Sequence, residues 1–130
     1  MIETDKLEML IRRARQEFMN AAAYGANKVE SVAILMDSGL VLSGYSQTVA
    51  NLNAAKDALR GSLNSPSFLE KGGFIKEDFE IAAVVIAVAT DKAKPSNGTI
   101  KSLRDYGGTK DGQIAFIVSN SSGALREVIL

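Results

Sequence analysis

Apolar residues recur at helical spacing near the start of the chain, with Leu7, Leu10, Ile11, Ala14 and Phe18 on one helical face. Asp5 followed by Glu8 has the form of a capping box, and Tyr24-Gly25 supplies a glycine stop, so an amphipathic helix is predicted between them. Val29 to Met36 and Leu40 to Tyr45 are β-rich runs joined by Asp37-Ser38-Gly39, which predicts a hairpin. Leu52, Ala55, Leu59 and Leu63 define a second helix that Thr48 or Asn51 can cap. Gly61 to Lys76, with its glycines and Pro66, reads as an irregular excursion. Ile81 to Ala89 is apolar without alternation, the mark of a central strand covered on both faces. After Lys94-Pro95, Ser96 or Asn97 caps a short helix containing Ile100 and Leu103, which Gly107-Gly108 ends. Gln113 to Ser119 and Ala124 to Leu130 are two further strands around the turn sequence Asn120-Ser121-Ser122-Gly123.

This order, helix, strand, strand, helix, strand, helix, strand, strand, favours an α/β fold of three layers, α/β/α, around one mixed five-stranded sheet. The strand-helix-strand crossovers are expected to be right-handed, and the last strand fits either direction. At 130 residues the chain is expected to form one domain, residues 1–130, and 46% hydrophobic content suffices for a core without disulfides.

Charge and chemistry narrow the function. Fifteen basic residues balance fifteen acidic ones, so nothing in the bulk charge draws the chain to nucleic acid or to a membrane surface. There is no cysteine and no histidine, which removes thiolate nucleophiles, imidazole bases and the two side chains that dominate zinc sites; no metal or other cofactor is expected. The first residues lack a basic segment followed by an apolar run, and the nine-residue run Ile81 to Ala89 is too short to span a bilayer, so a cytoplasmic location is expected. Met9, Met19 and Met36 fit apolar positions as core fillers, and Lys71-Gly72-Gly73 lacks the full phosphate-loop pattern.

In sheets of this kind ligands sit beyond the carboxyl ends of parallel strands, at helix starts. Two segments lie there, Asn51 to Ala55 and Pro95 to Thr99. The run from Pro95 to Tyr106, with its Leu103-Arg104-Asp105-Tyr106 ending, resembles the Pro-Cys-x-x-Cys helix of the cytidine deaminase family with the cysteines replaced. Asn53-Ala54-Ala55 lies where that family's Cys-Ala-Glu motif begins its second helix, and Ser43-Gly44-Tyr45 resembles the strand leading to it. The resemblance implies that Asn53, Ser96 and Thr99 stand at metal-ligand positions, Ala55 at the proton-shuttling glutamate, and Ser46 and Thr48 at nucleoside-contacting positions. Alanine cannot carry a proton, and neutral Asn, Ser and Thr do not replace thiolates on zinc. A degenerate, non-catalytic member is therefore expected, acting as a homo-oligomer or in a mixed assembly with a related subunit.

Other readings of the same residues stand beside this one. Asn53, Ser96, Asn97 and Thr99 are also ordinary caps and turn formers. A vestigial cleft of Ser46, Thr48, Asn53, Ala55, Ser96, Asn97, Gly98 and Thr99 is a candidate for a nucleoside, nucleotide or phosphate without chemistry, with Lys92, Lys94 or Lys101 nearby. A residual activity would have to use Asp57 or Lys101, although Lys56-Asp57 reads as solvated surface. Asp37 to Ser43 also resembles the first hairpin of roadblock-type scaffold proteins, which would place a meander where a helix is predicted over Pro95 to Tyr106.

Overall fold

The computed structural model describes residues 3–22, 29–46, 81–105 and 112–130. The elements are α1 (Thr4–Ala22), β1 (Glu30–Met36), β2 (Val41–Ser46), β3 (Ile81–Val88), α2 (Asn97–Asp105), β4 (Ile114–Ser119) and β5 (Leu125–Ile129). The helix predicted over Leu52 to Leu63, the Gly61 to Lys76 excursion and the glycine stops at Tyr24-Gly25 and Gly107-Gly108 lie outside the described residues.

Five strands form one mixed sheet in the order β2-β1-β3-β4-β5. β1 pairs antiparallel with both β2 and β3, β3 runs parallel to β4 across the α2 connection, and β5 returns antiparallel to β4. The parallel step and the helix over Asn97–Asp105 exclude the meander that a roadblock-type scaffold would need there.

The unbroken apolar run of β3 has a simple cause. Ala83, Val85 and Ala87 face α1, together with Ala33 and Leu35 of β1 and Val118 of β4. Val84, Ile86 and Val88 face the other way, packing with Val32, Ile34, Ala115, Ile117 and Leu103 of α2. A strand clad by helices on both sides needs no polar face. The two faces differ in bulk: the alanines beneath α1 let that helix approach closely, whereas branched residues fill the α2 side.

α1 presents Leu10, Ala14, Phe18 and Ala21 to the sheet, with Leu7 and Ile11 half-buried beside them. Two expectations are corrected here. Asp5 lies inside the first turn rather than ahead of it; the helix begins at Thr4, with the Leu7 N–H donating to the Glu3 carbonyl. Met9 and Met19 are 37% and 58% exposed, because successive residues of a helix diverge from its buried stripe, while Met36 is buried on β1 as expected.

The hairpin turn closes through Met36 N–H to the Leu40 carbonyl and Gly39 N–H to the Met36 carbonyl, both 2.9 Å. Gly39 takes φ +91°, a conformation that side chains disfavour even where, as here, space is open. Arg13 donates to Ser43 Oγ at 2.8 Å, fastening α1 to β2. Arg15 reaches the Asn120 carbonyl at 3.3 Å, fastening it to the β4–β5 turn.

The packing separates two apolar residues of one helix. Leu10→Ala is expected to lower unfolding free energy by about 2–5 kcal/mol, and Met19→Ala by about 0.5 kcal/mol or less. Urea denaturation of the two variants measures this, and equal losses would contradict the described burial.

Candidate functional site

The alternation of β1 delivers its first two residues to opposite faces. Ser31 points toward α1 and donates to the Ala14 carbonyl at 2.5 Å, within the buried layer. Glu30 points toward α2, and only 2% of its surface is exposed. A carboxylate that deep is costly unless donors converge on it. They do so from the start of α2.

Ser96 is the N-cap of that helix: its carbonyl accepts from the Ile100 N–H at 3.1 Å, and its hydroxyl oxygen accepts from the Thr99 N–H at 3.2 Å. The Ser96 N–H donates to Glu30 Oε2 at 2.9 Å, and the Ser96 hydroxyl donates to Oε1 at 2.6 Å. The Thr99 hydroxyl, wholly buried, donates to the same Oε1. With both hydroxyl protons on the carboxylate, the 3.1 Å approach of Ser96 Oγ to Thr99 Oγ1 is a close polar contact within one cluster. Among the described residues three donors meet the two carboxylate oxygens at the positive end of a helix, an arrangement that suits a negative charge.

A second polar group lies at the carboxyl ends of β3 and β4. Asp91 sits beside a cleft of about 220 Å³, open to solvent, that Val88, Ile117, Ser119 and Arg126 also line. The Ser122 hydroxyl donates to Asp91 Oδ1, and Ser119 Oγ lies 3.0 Å from Ser121 Oγ. Hydrogen bonding by Ser119, then by Ser122, holds the Asp91 carboxyl below its ordinary range, and the nearby Arg126 charge adds to this. Arg126 donates to the backbone carbonyls of Asp91, at 2.6 Å, and of Ala93. Acid and base here fasten the 89–93 loop to the β4–β5 turn.

Of the residues singled out from the sequence, Ser96, Asn97, Gly98 and Thr99 fall together at the start of α2, as predicted. Thr99 is buried, Ser96 and Gly98 are half-buried and Asn97 is exposed. Ser46 ends β2, while Thr48, Asn53, Ala55 and Asp57 lie outside the described residues. Lys92, Lys94 and Lys101 are exposed. Glu30 was not among the candidates. Its signal was a lone charge at the head of an otherwise apolar or serine-bearing strand, which strand patterning alone assigns to an end.

No family profile and no curated protein matches this chain. Solved structures do. A crystal structure of cytidine deaminase from Burkholderia pseudomallei aligns with a TM-score of 0.66 at 19% identity, over 94% of this chain and 91% of that one. The fold is cytidine deaminase-like. Among the described residues no helix is long and apolar enough to cross a membrane, and no three His, Cys, Asp or Glu side chains group as they would around a metal ion.

The Asp91 geometry has a pH signature with a definite sign. A carboxyl whose folded pKa lies below its unfolded value adds stability above the ordinary value of 3.8 and loses it as pH falls through the folded value. The melting-temperature gap between wild type and Asp91→Asn is therefore expected to shrink below that pH. A gap that widened on acidification would contradict the described hydrogen bonds.

Proposed function

We propose that this chain is a non-catalytic protein of cytidine deaminase-like fold, serving as an assembly or binding subunit. The observation that carries the reading is the use made of Ser96 and Thr99. The family resemblance gives those positions to metal ligands, yet here both hydroxyls donate to Glu30. A zinc ion would need deprotonated, electron-rich donors, and the chain contains neither cysteine nor histidine. The residues present do not fit the metal, so no step of a deamination is derived from them. Asn53 and Ala55, by the same resemblance, bring neither a thiolate nor a proton-shuttling carboxylate.

The start of α2 also bears on ligands. An incoming phosphate would meet a carboxylate already hydrogen-bonded to the donors it needs. Phosphate recognition at that point is therefore not part of the reading, and a nucleoside would have to be held by other surfaces.

Assembly draws support from the β4–β5 half of the sheet. Ile114 and Ile129 pair across the two strands and are 40% and 67% exposed, with exposed Leu125 further along. These residues share the sheet face on which α1 packs, but the main contacts of α1 are with β1, β2 and β3. An apolar cross-strand pair left in water is the type of surface that oligomers bury. A second copy, or a related subunit, is the partner expected there.

Three measurements on the purified chain test the reading. Elemental analysis is expected to find zinc well below one per chain, and incubation with cytidine and adenosine to release no ammonia above the uncatalysed rate. Light scattering is expected to give a multiple of the 13.8 kDa chain mass, and Ile129→Glu to lower it. Stoichiometric zinc or enzymatic ammonia release would overturn the non-catalytic assignment. A wild-type monomer at high micromolar concentration would overturn self-assembly.

A further inference from the structure

Glu30 is an acid at the head of a strand whose other positions are serine, alanine or larger apolar residues, and it is almost wholly buried. Its described donors come neither from its own strand nor from a neighbouring one. They come from the first turn of α2 and the residue that caps it, across 66 and 69 positions of sequence. The unpaired N–H groups and dipole of a helix start favour an anion, which in many proteins arrives as a separate ion or ligand. In this chain the anion is covalently attached to the sheet.

We infer that Glu30 is a built-in ligand of α2: its carboxylate occupies the anion position at the start of the helix and thereby fixes α2 and the preceding Lys94-Pro95-Ser96 segment on the sheet. The inference rests on the reading above, in which no metal is held at Ser96 and Thr99. It adds what replaces the metal as the organising group. Charge and shape both matter to the tie. Every described donor, the Ser96 N–H, the Ser96 hydroxyl and the Thr99 hydroxyl, has its proton directed at a carboxylate oxygen. An amide at position 30 would keep one acceptor and set an NH₂ group against donors. An alanine would remove the anion and two side-chain carbons, leaving a small polar vacancy lined by those same donors that a one-carbon carboxylate is small enough to enter.

The test uses the full chain and its Glu30→Ala and Glu30→Gln variants, melted with sodium formate or with sodium chloride at equal ionic strength. Glu30→Ala is expected to melt lower by roughly 10 °C or more, as for other broken buried charge clusters. Formate, but not chloride, is then expected to raise its melting temperature with a saturating concentration dependence, because a ligand bound only by the folded state stabilises it by mass action. Wild type is expected to show no formate-specific shift. A Glu30→Ala variant that melts within about 2 °C of wild type overturns the inference, given the size of the expected loss. So does a folded one that responds alike to formate and chloride. Should Glu30→Ala not fold, Glu30→Gln decides: it keeps the volume and removes the charge, so wild-type stability overturns the inference, and a lower melting temperature or failure to fold supports it. Zinc content, measured on wild type alone, reports on the earlier reading, so the two ideas fail separately.

Discussion

The three layers meet at two adjacent side chains. Glu30 sends a buried carboxylate into the start of α2, and Ser31, its neighbour, gives its hydroxyl proton to a carbonyl of α1. Pleating places consecutive residues of a strand on opposite faces, so one dipeptide can grip both helical layers. The two grips differ in kind. The serine satisfies one carbonyl inside a helix whose backbone is already paired, a contribution of about 1 kcal/mol. The carboxylate carries a full charge away from water, where losing its donors would cost about 3–5 kcal/mol. On the inference drawn above, the charge at its first turn is the main tie of α2, whereas α1 is held chiefly by packing.

This division agrees with how the sheet is surfaced. Beneath α1 the strands offer Ala33, Ala83 and Ala87, which allow a long amphipathic helix to lie close along its whole buried stripe. Arg13 and Arg15 then fasten its two flanks, to Ser43 of β2 and to the Asn120 carbonyl. Beneath α2 the strands offer Val32, Ile34, Val84 and Ile86, and the helix of nine residues contributes Leu103 and, less fully, Ile100 to that layer. So short a helix buries little apolar surface of its own and makes few intrahelical bonds. A strong polar tie at its first turn compensates for that small area.

Most of the architecture was legible in the residues themselves. The featureless apolar run at Ile81 to Ala89 marked the central strand, Asp37-Ser38-Gly39 marked the hairpin, and Pro95-Ser96 marked the α2 cap within a residue. Each of these signals is local: a period, a turn residue or a capping hydroxyl. The direction of β5 was open, because a four-residue turn with glycine argues for an antiparallel return without requiring one. Met9 and Met19 misled because methionine suits a helix wherever it falls, and only the angle around the axis separates them from Leu10 and Phe18. Glu30 was illegible for a different reason. Its burial depends on donors more than sixty positions away, and no local pattern distinguishes a glutamate that ends a strand at the surface from one that is drawn inward.

The same comparison explains why Ser96 and Thr99 read so easily as both vestige and cap. A helix that begins against a sheet interior presents partial positive charge there, whatever chemistry the fold performs. On the reading proposed above, a metal centre would meet that requirement with thiolates and this chain meets it with a carboxylate. The hydroxyls at the two positions relay it, one by capping the helix and both by donating to Glu30. On the same reading, the electrostatic need of α2 is independent of zinc chemistry. On that reading a negative charge is still called for where α2 begins, and β1 supplies it from its first residue, which lies beside the carboxyl end of β3.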